Sequence, residues 1–225
     1  MSHFANLKFF KSLFIVSAFV SASAAVIINA PAAWLKEIKQ EVYALFEEDF
    51  DFVAAPGKVI YVDIAASGND DGSSWINAFT DLQDALQSSL ACDTIKVAQG
   101  TYYPDRGTDD RDSTFFVSDS TILLGGYEGL SGDTLAQRDW VCNTTFLSGD
   151  IGDPDDNTDN SYHVVTTLNT GTQTLVDGFI ITDGNADGGD EQTWRGGGWY
   201  NLAELSGVSS PNIRNCIFEI RATQP

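Results

Sequence analysis

The chain is poor in positive charge: 12 Lys and Arg stand against 32 Asp and Glu, a formal net charge of -20. Such a surface repels nucleic acid and anionic lipid headgroups, so neither is expected as a partner. Histidine is nearly absent. His3 falls in the first residues and His163 sits in "SYHVV", so no Ser-His-Asp set can be assembled. The three cysteines, Cys92, Cys142 and Cys216, form no C-x-x-C pair and no zinc spacing. Cys216 lies in the apolar pattern "IRNCIF" and reads as a small buried hydrophobe, while pairing of Cys92 with Cys142 is left open. "RGGGWYN" lacks the G-K-[ST] of a phosphate loop and reads as a tight turn into the next strand. After the first residues no apolar run is long enough to cross a bilayer.

Those first residues are a separate matter. "MSHFANLKFFK" carries Lys8 and Lys11 and no acid; an apolar stretch follows, and Ala22-Ser23-Ala24 fits an A-x-A cleavage site. Residues 1–24 therefore read as a secretory signal peptide, with no membrane span after cleavage; an uncleaved anchor is the alternative. Residues 25–57 read as an amphipathic helix and linker: Trp34, Leu35, Ile38, Val42, Leu45 and Phe46 recur at helical spacing until Pro56-Gly57.

What remains, residues 58–225, is rich in Gly, Asp, Asn, Thr and Ser, with short apolar runs between them. That is the texture of an all-β chain. "KVIYVD" and "CDTIKVAQG" read as strands. Between them, Thr80 and Gln83 suggest a capping box, and Leu82, Ala85, Leu86 and Leu90 form one stripe of a helix of about three turns. Further strands are expected at 114–117, 121–125, 144–148, 162–166, 174–182 and 212–220. The last two align: Val176-Asp177-Gly178-Phe179-Ile180-Ile181 falls over Ile213-Arg214-Asn215-Cys216-Ile217-Phe218. A strand broken by a two-residue polar bend and repeated is the pattern of a parallel solenoid.

"SGNDDGSSW", Ser67–Trp75, imitates a calcium loop. Ser67 stands where the EF-hand requires Asp and Ala78 where it requires Glu, which excludes that motif. The stretch is expected to lead from the first strand to the helix, with Trp75 buried beneath it.

"YVDIAASGNDDGSSWINAFTDLQDAL…DTIKVAQGTYYP", followed in order by "GGYEG", "QRDW", "FLSGDI", "DNSYHVV", "VDGFIITDGNA", "RGGGWYN" and "SPNIRNCIFE", resembles the start of secreted right-handed parallel β-helix proteins of the pectin-lyase-like fold. In particular it is similar to large bacterial surface proteins with polymorphic-outer-membrane-protein-type repeats. Gly196-Gly197-Gly198 fits their glycine signature and Phe218 opens their F-x-x-N signature, although Arg221 stands where Asn belongs. The resemblance implies an all-β, right-handed parallel β-helix with an N-terminal capping helix, placed outside the cell or on a bacterial outer membrane. Relatives run on for many more coils, so it also implies a chain truncated after Pro225.

The resemblance brings no complete catalytic motif: neither G-H-G nor R-I-K occurs, and "NTD" at 157–159 stands without partners. Candidates for lyase or hydrolase chemistry are Arg195 or Arg214 beside Asp177 or Asp183. Asp150, Asp153, Asp155, Asp156 and Asp159 offer oxygens to a hard cation, and calcium is the one cofactor they suggest; solvated Asx-turns account for the same residues. Trp194, Trp199 and Tyr200 are the candidate binding aromatics, for stacking on a glycan or anchoring a surface protein, or for packing the loops down. The expectation is an exported, non-catalytic adhesive, binding or structural protein. The alternative is a carbohydrate-active enzyme acting on acidic polysaccharide.

Overall fold

The computed structural model describes residues 57–130, 138–154, 156–204 and 207–219. The signal peptide, and the helix and linker up to Pro56, lie outside the described residues, as do Asp155 and Arg221.

Among the described residues twelve strands and one helix are formed. In chain order they are β1 (Val59–Val62), α1 (Leu82–Ser88), β2 (Thr94–Ala98), β3 (Gly100–Tyr102), β4 (Phe115–Val117), β5 (Ile122–Tyr127), β6 (Thr145–Ser148), β7 (Val165–Leu168), β8 (Leu175–Asp177), β9 (Ile180–Thr182), β10 (Trp199–Leu202), β11 (Asn212–Arg214) and β12 (Ile217–Glu219). They make three sheets, ordered β1-β2-β5-β8-β11, β3-β6-β9-β12 and β4-β7-β10. Every pairing among the described strands is parallel. From β2 onward the chain visits first, second and third sheet in fixed rotation, each return landing one strand further along.

Parallel register stacks like on like. In the first sheet Ile60, Ile95, Leu123, Val176 and Ile213 form one column. In the second, Tyr102, Leu147, Ile181 and Phe218 do so, and in the third Phe115, Val165 and Trp199. The columns meet in a single core that takes in Phe179 and Val164. Full burial of each such side chain contributes roughly 1.5–3 kcal/mol, so the stack rather than any one strand holds the fold. At the last strands the columns reach the surface: Ile213 is 42% and Phe218 50% exposed.

The predicted alignment of 176–181 over 213–218 is present residue for residue, with Val176 on Ile213, Asp177 on Arg214, Ile180 on Ile217 and Ile181 on Phe218. At the bend Gly178 (φ 85°) lies over Asn215 (φ 49°). Both positions need the left-handed region, which Gly enters freely and Asn tolerates.

The helix is shorter than expected and its cap differs. Asp81, not Thr80, is the N-cap, and its carboxylate accepts from Gln83 N at 2.8 Å. Thr80 instead donates through both N and Oγ1 to Asp70 Oδ1. The Gln83 amide, expected to close a capping box, donates to Pro104 O (2.6 Å) and Thr114 O (3.0 Å). Leu82, Ala85 and Leu86 are buried against the core as read, whereas Leu90 lies beyond the helix and is exposed.

Trp75 is buried, but not beneath the helix. It packs between Tyr61 (4.9 Å between ring centroids) and Tyr127 (5.5 Å) in a second cluster with Ala98. The "SGNDDGSSW" segment is tied back to β1, with Tyr61 N donating to Gly72 O and Phe79 N to Tyr61 O. All three cysteines are free thiols: Cys92 and Cys142 are exposed, and Cys216 is half-buried against the core.

β7 begins three residues later than predicted. Tyr162 N is engaged by Arg111 O, and the ladder starts only at Val165. It then runs through Thr166 and Thr167, whose hydroxyls are met by Thr114 Oγ1 (2.9 Å) and Asn201 Oδ1 (2.8 Å). β3 and β10 begin at or beside glycine, where the sequence reads as turn.

Candidate functional site

Three long connections leave the second sheet and enter the third: 103–114, 149–164 and 183–198. Since successive strands stack in register, these loops emerge on one side of the molecule. They carry most of the candidate chemistry.

Arg111 joins all three. From the first loop its Nε donates to Asn160 O at 2.6 Å, and its Nη2 donates to Asn185 O at 3.1 Å and to Asp187 Oδ1 at 2.6 Å. The guanidinium lies 4.1 Å over the Tyr162 ring. Asn160 Nδ2 donates to Asp183 O, Asn185 N to Ser161 O, and Asn185 Nδ2 to Asn157 O. A lone arginine in "DDRDS" has no motif, and nothing in the sequence marks it as the hub of this network.

The glycine run seats the third loop. Gly197 O and Gly198 O accept from Val164 N and Val165 N, so the run leads into β10 as read. A Cβ at Gly184 would meet Gly197 O at 2.1 Å, which only glycine avoids.

The acidic loop is built of turns. Asp156 Oδ1 accepts from both N and Oγ1 of Thr158, and these bonds hold its carboxyl below the ordinary range. Asp159 Oδ2 accepts from Asp153 N at 2.7 Å, and Asp150 N donates to Ser148 Oγ. Asp190 repeats the Asp156 arrangement on Thr193, whose hydroxyl and N–H likewise lower its carboxyl. Among the described residues no three His, Cys, Asp or Glu side chains converge as a metal requires.

Of the candidate catalytic residues, Asp177 and Arg214 fall on adjacent strands, while Arg195 and Asp183 lie in the third loop. Asp177 is nearly buried and is held by Arg138 and Asn215 Nδ2. Arg214 is its register neighbour on β11. Arg195 pairs with Glu191 at 3.2 Å and lies over the Trp194 ring at 5.0 Å. Asp183 takes φ 61° and accepts from Ser148 Oγ.

The three candidate binding aromatics have different placements. Trp194 is 56% exposed. Trp199 turns inward, packs against the core and donates from Nε1 to Thr167 Oγ1 at 2.9 Å. Tyr200 faces outward and is stacked on the His163 ring at 4.5 Å. His163 is thus a loop residue, its two ring nitrogens lying against Gly196 O and Gln192 O. In three comparisons, no protein-family model, no curated protein and no solved structure matches this chain.

Proposed function

We propose that the chain is a right-handed parallel β-helix, closed at one end by α1, that works outside the cell or at its surface as a non-catalytic module presenting loops for adhesion or binding. The observation that carries this reading is the bridging of three loops by Arg111. Loops locked to one another before any partner arrives lose less conformational freedom on binding, which is how a rigid scaffold gains affinity. Rotation through three parallel sheets supports the β-helix, and the residue pattern at 1–24 supports export.

The test is direct. The secreted chain is applied to a glycan array and to immobilised surface proteins, alongside Arg111→Ala. Binding that weakens in the variant is expected. The same protein is incubated with polyuronates, with and without calcium, and followed at the ultraviolet absorbance of the unsaturated product. Turnover that disappears on replacing Arg195 or Arg214 would replace this reading with that of a polysaccharide lyase.

A further inference from the structure

A cleft of about 630 Å³ lies between α1, the 103–114 loop and β4. It falls within the roughly 300–1,000 Å³ typical of small-ligand sites. Two observations set its chemistry. The first is apolar. Alternation along β4 sends Phe115 and Val117 into the core and turns Phe116 out, so its ring lines the cleft and is 44% exposed. Leu86, from α1, lines the cleft as well.

The second is polar. Gln87, Ser113 and Ser118 line the cleft, and their side chains make no hydrogen bond among the described residues. Gln83 beside them commits its amide nitrogen to Pro104 O and Thr114 O, which fixes the wall between α1 and the 103–114 loop. Asp105 also lines the cleft; it is 5% exposed, and Oδ2 accepts from Asp109 N.

Charge selects among ligands. Arg106 is the one cation of the lining, and it is engaged by Asp84 at 2.6 Å and Asp81 at 3.3 Å. Asp105 and Asp112 leave the lining net negative, on a chain of net charge -20. An anionic ligand such as a polyuronate is disfavoured by both. An exposed ring beside amide and hydroxyl groups that have no partner among the described residues suits a molecule with an apolar C–H face and a rim of hydroxyls.

From these observations we infer that the cleft between α1 and β4 binds an uncharged oligosaccharide, stacked on Phe116 and hydrogen-bonded by Gln87, Ser113 and Ser118. This goes beyond loop presentation and stands on different residues from the Arg111 network.

The test is calorimetric titration of the full secreted chain with cellohexaose, mannohexaose and N-acetylchitohexaose, with oligogalacturonate and a lysine decapeptide as contrasts. At least one uncharged sugar is expected to bind at millimolar concentration or below. Phe116→Ala should weaken it about tenfold, the scale of one aromatic contact. Gln87→Ala should weaken it severalfold, and both variants should melt as the parent does. No binding of any uncharged sugar overturns the inference, as does binding of only the oligogalacturonate or only the peptide. Sugar binding that survives both Phe116→Ala and Gln87→Ala but is lost in Trp194→Ala also overturns it, while leaving the proposed loop function standing.

Discussion

Arg138 reaches from the connection between β5 and β6 to Asp177 on β8, and each side chain is only 10% exposed. Its Nη2 also donates to Asp177 O at 2.7 Å and its Nε to Gly125 O at 2.6 Å, so one guanidinium ties adjacent strands of the first sheet together. Removing either partner leaves an uncompensated charge in a nearly dry site, at a cost of about 3–5 kcal/mol. Asp177→Ala and Arg138→Ala should therefore each lower Tm by roughly 6–20 °C in a protein of this size. Scanning calorimetry of both single variants and the double variant checks this. A double variant no worse than either single one is the expected signature of a coupled pair.

Gly178 lies against the same arginine. Its φ of 85° alone makes alanine costly, by about 1–2 kcal/mol. A Cβ there would also meet Arg138 Nη2 at 2.5 Å. Gly178→Ala should cost more than Asn215→Gly, which relieves backbone strain and loses one hydrogen bond to Asp177 worth about 1 kcal/mol. In an Arg138→Ala background the Gly178→Ala penalty should shrink but not vanish, because the backbone part remains and a Cβ still approaches Trp140 Cβ at 3.1 Å and Gly125 O at 3.2 Å. Urea melts of the four variants separate the two contributions.

Phe179 is 1% exposed and stacks within the core beside Val176 and Ile181. Phe179→Asp places a lone carboxylate there, and no cooperatively melting protein is expected. Phe179→Leu keeps an apolar side chain and should melt cooperatively at a lower temperature. A soluble Phe179→Asp chain with a sharp transition would remove Phe179 from the core.

Arg111 makes a different prediction because it lies among loops, not in a core. Arg111→Ala should leave Tm within a few degrees of the parent, since surface-loop ion pairs contribute about 0–1 kcal/mol. Amide hydrogen exchange should accelerate in the second and third loops, 149–164 and 183–198, and not in the sheets. Unchanged exchange in both loops would show that they hold themselves without the arginine.

The sheets were legible and the side chains that link them were not, for a physical reason. Apolar alternation repeats along strands that face a core, so Ile95/Val97 and Phe179/Ile181 announce themselves, and the 176–181 over 213–218 register follows from the shared bend. Glycine carries no such signal. β3 opens on Gly100 and β10 follows Gly196-Gly197-Gly198, and both are strands only because a parallel neighbour supplies the ladder. Trp199 looked like a loop aromatic, yet its register with Val165 and Phe115 turns it inward. Phe116 was readable in principle: in "TFFV" alternation forces one of two adjacent rings outside. Arg138–Asp177 and Arg111–Asp187 join residues 39 and 76 positions apart, and no local pattern encodes either.

Asp119 links the turn before β5 to the turn before β8, and its titration sets a pH dependence. Its Oδ1 accepts from Gly171 N at 2.6 Å and from Thr174 Oγ1 at 3.3 Å, while Ser120 Oγ donates to Oδ2. The Gly171 N–H, foremost, and then the two hydroxyls favour the ionised carboxylate and hold it below the ordinary value. A carboxyl with a folded pKa below its unfolded value of about 3.9 contributes stability that is complete above that unfolded value and is lost as pH falls through the folded one. Asp119→Asn keeps the shape and removes the titration. Tm of parent and variant should differ at neutral pH, with the parent higher, and converge as pH falls below the unfolded value. A gap that persists undiminished in acid would mean that Asp119 acts through packing and not through its charge.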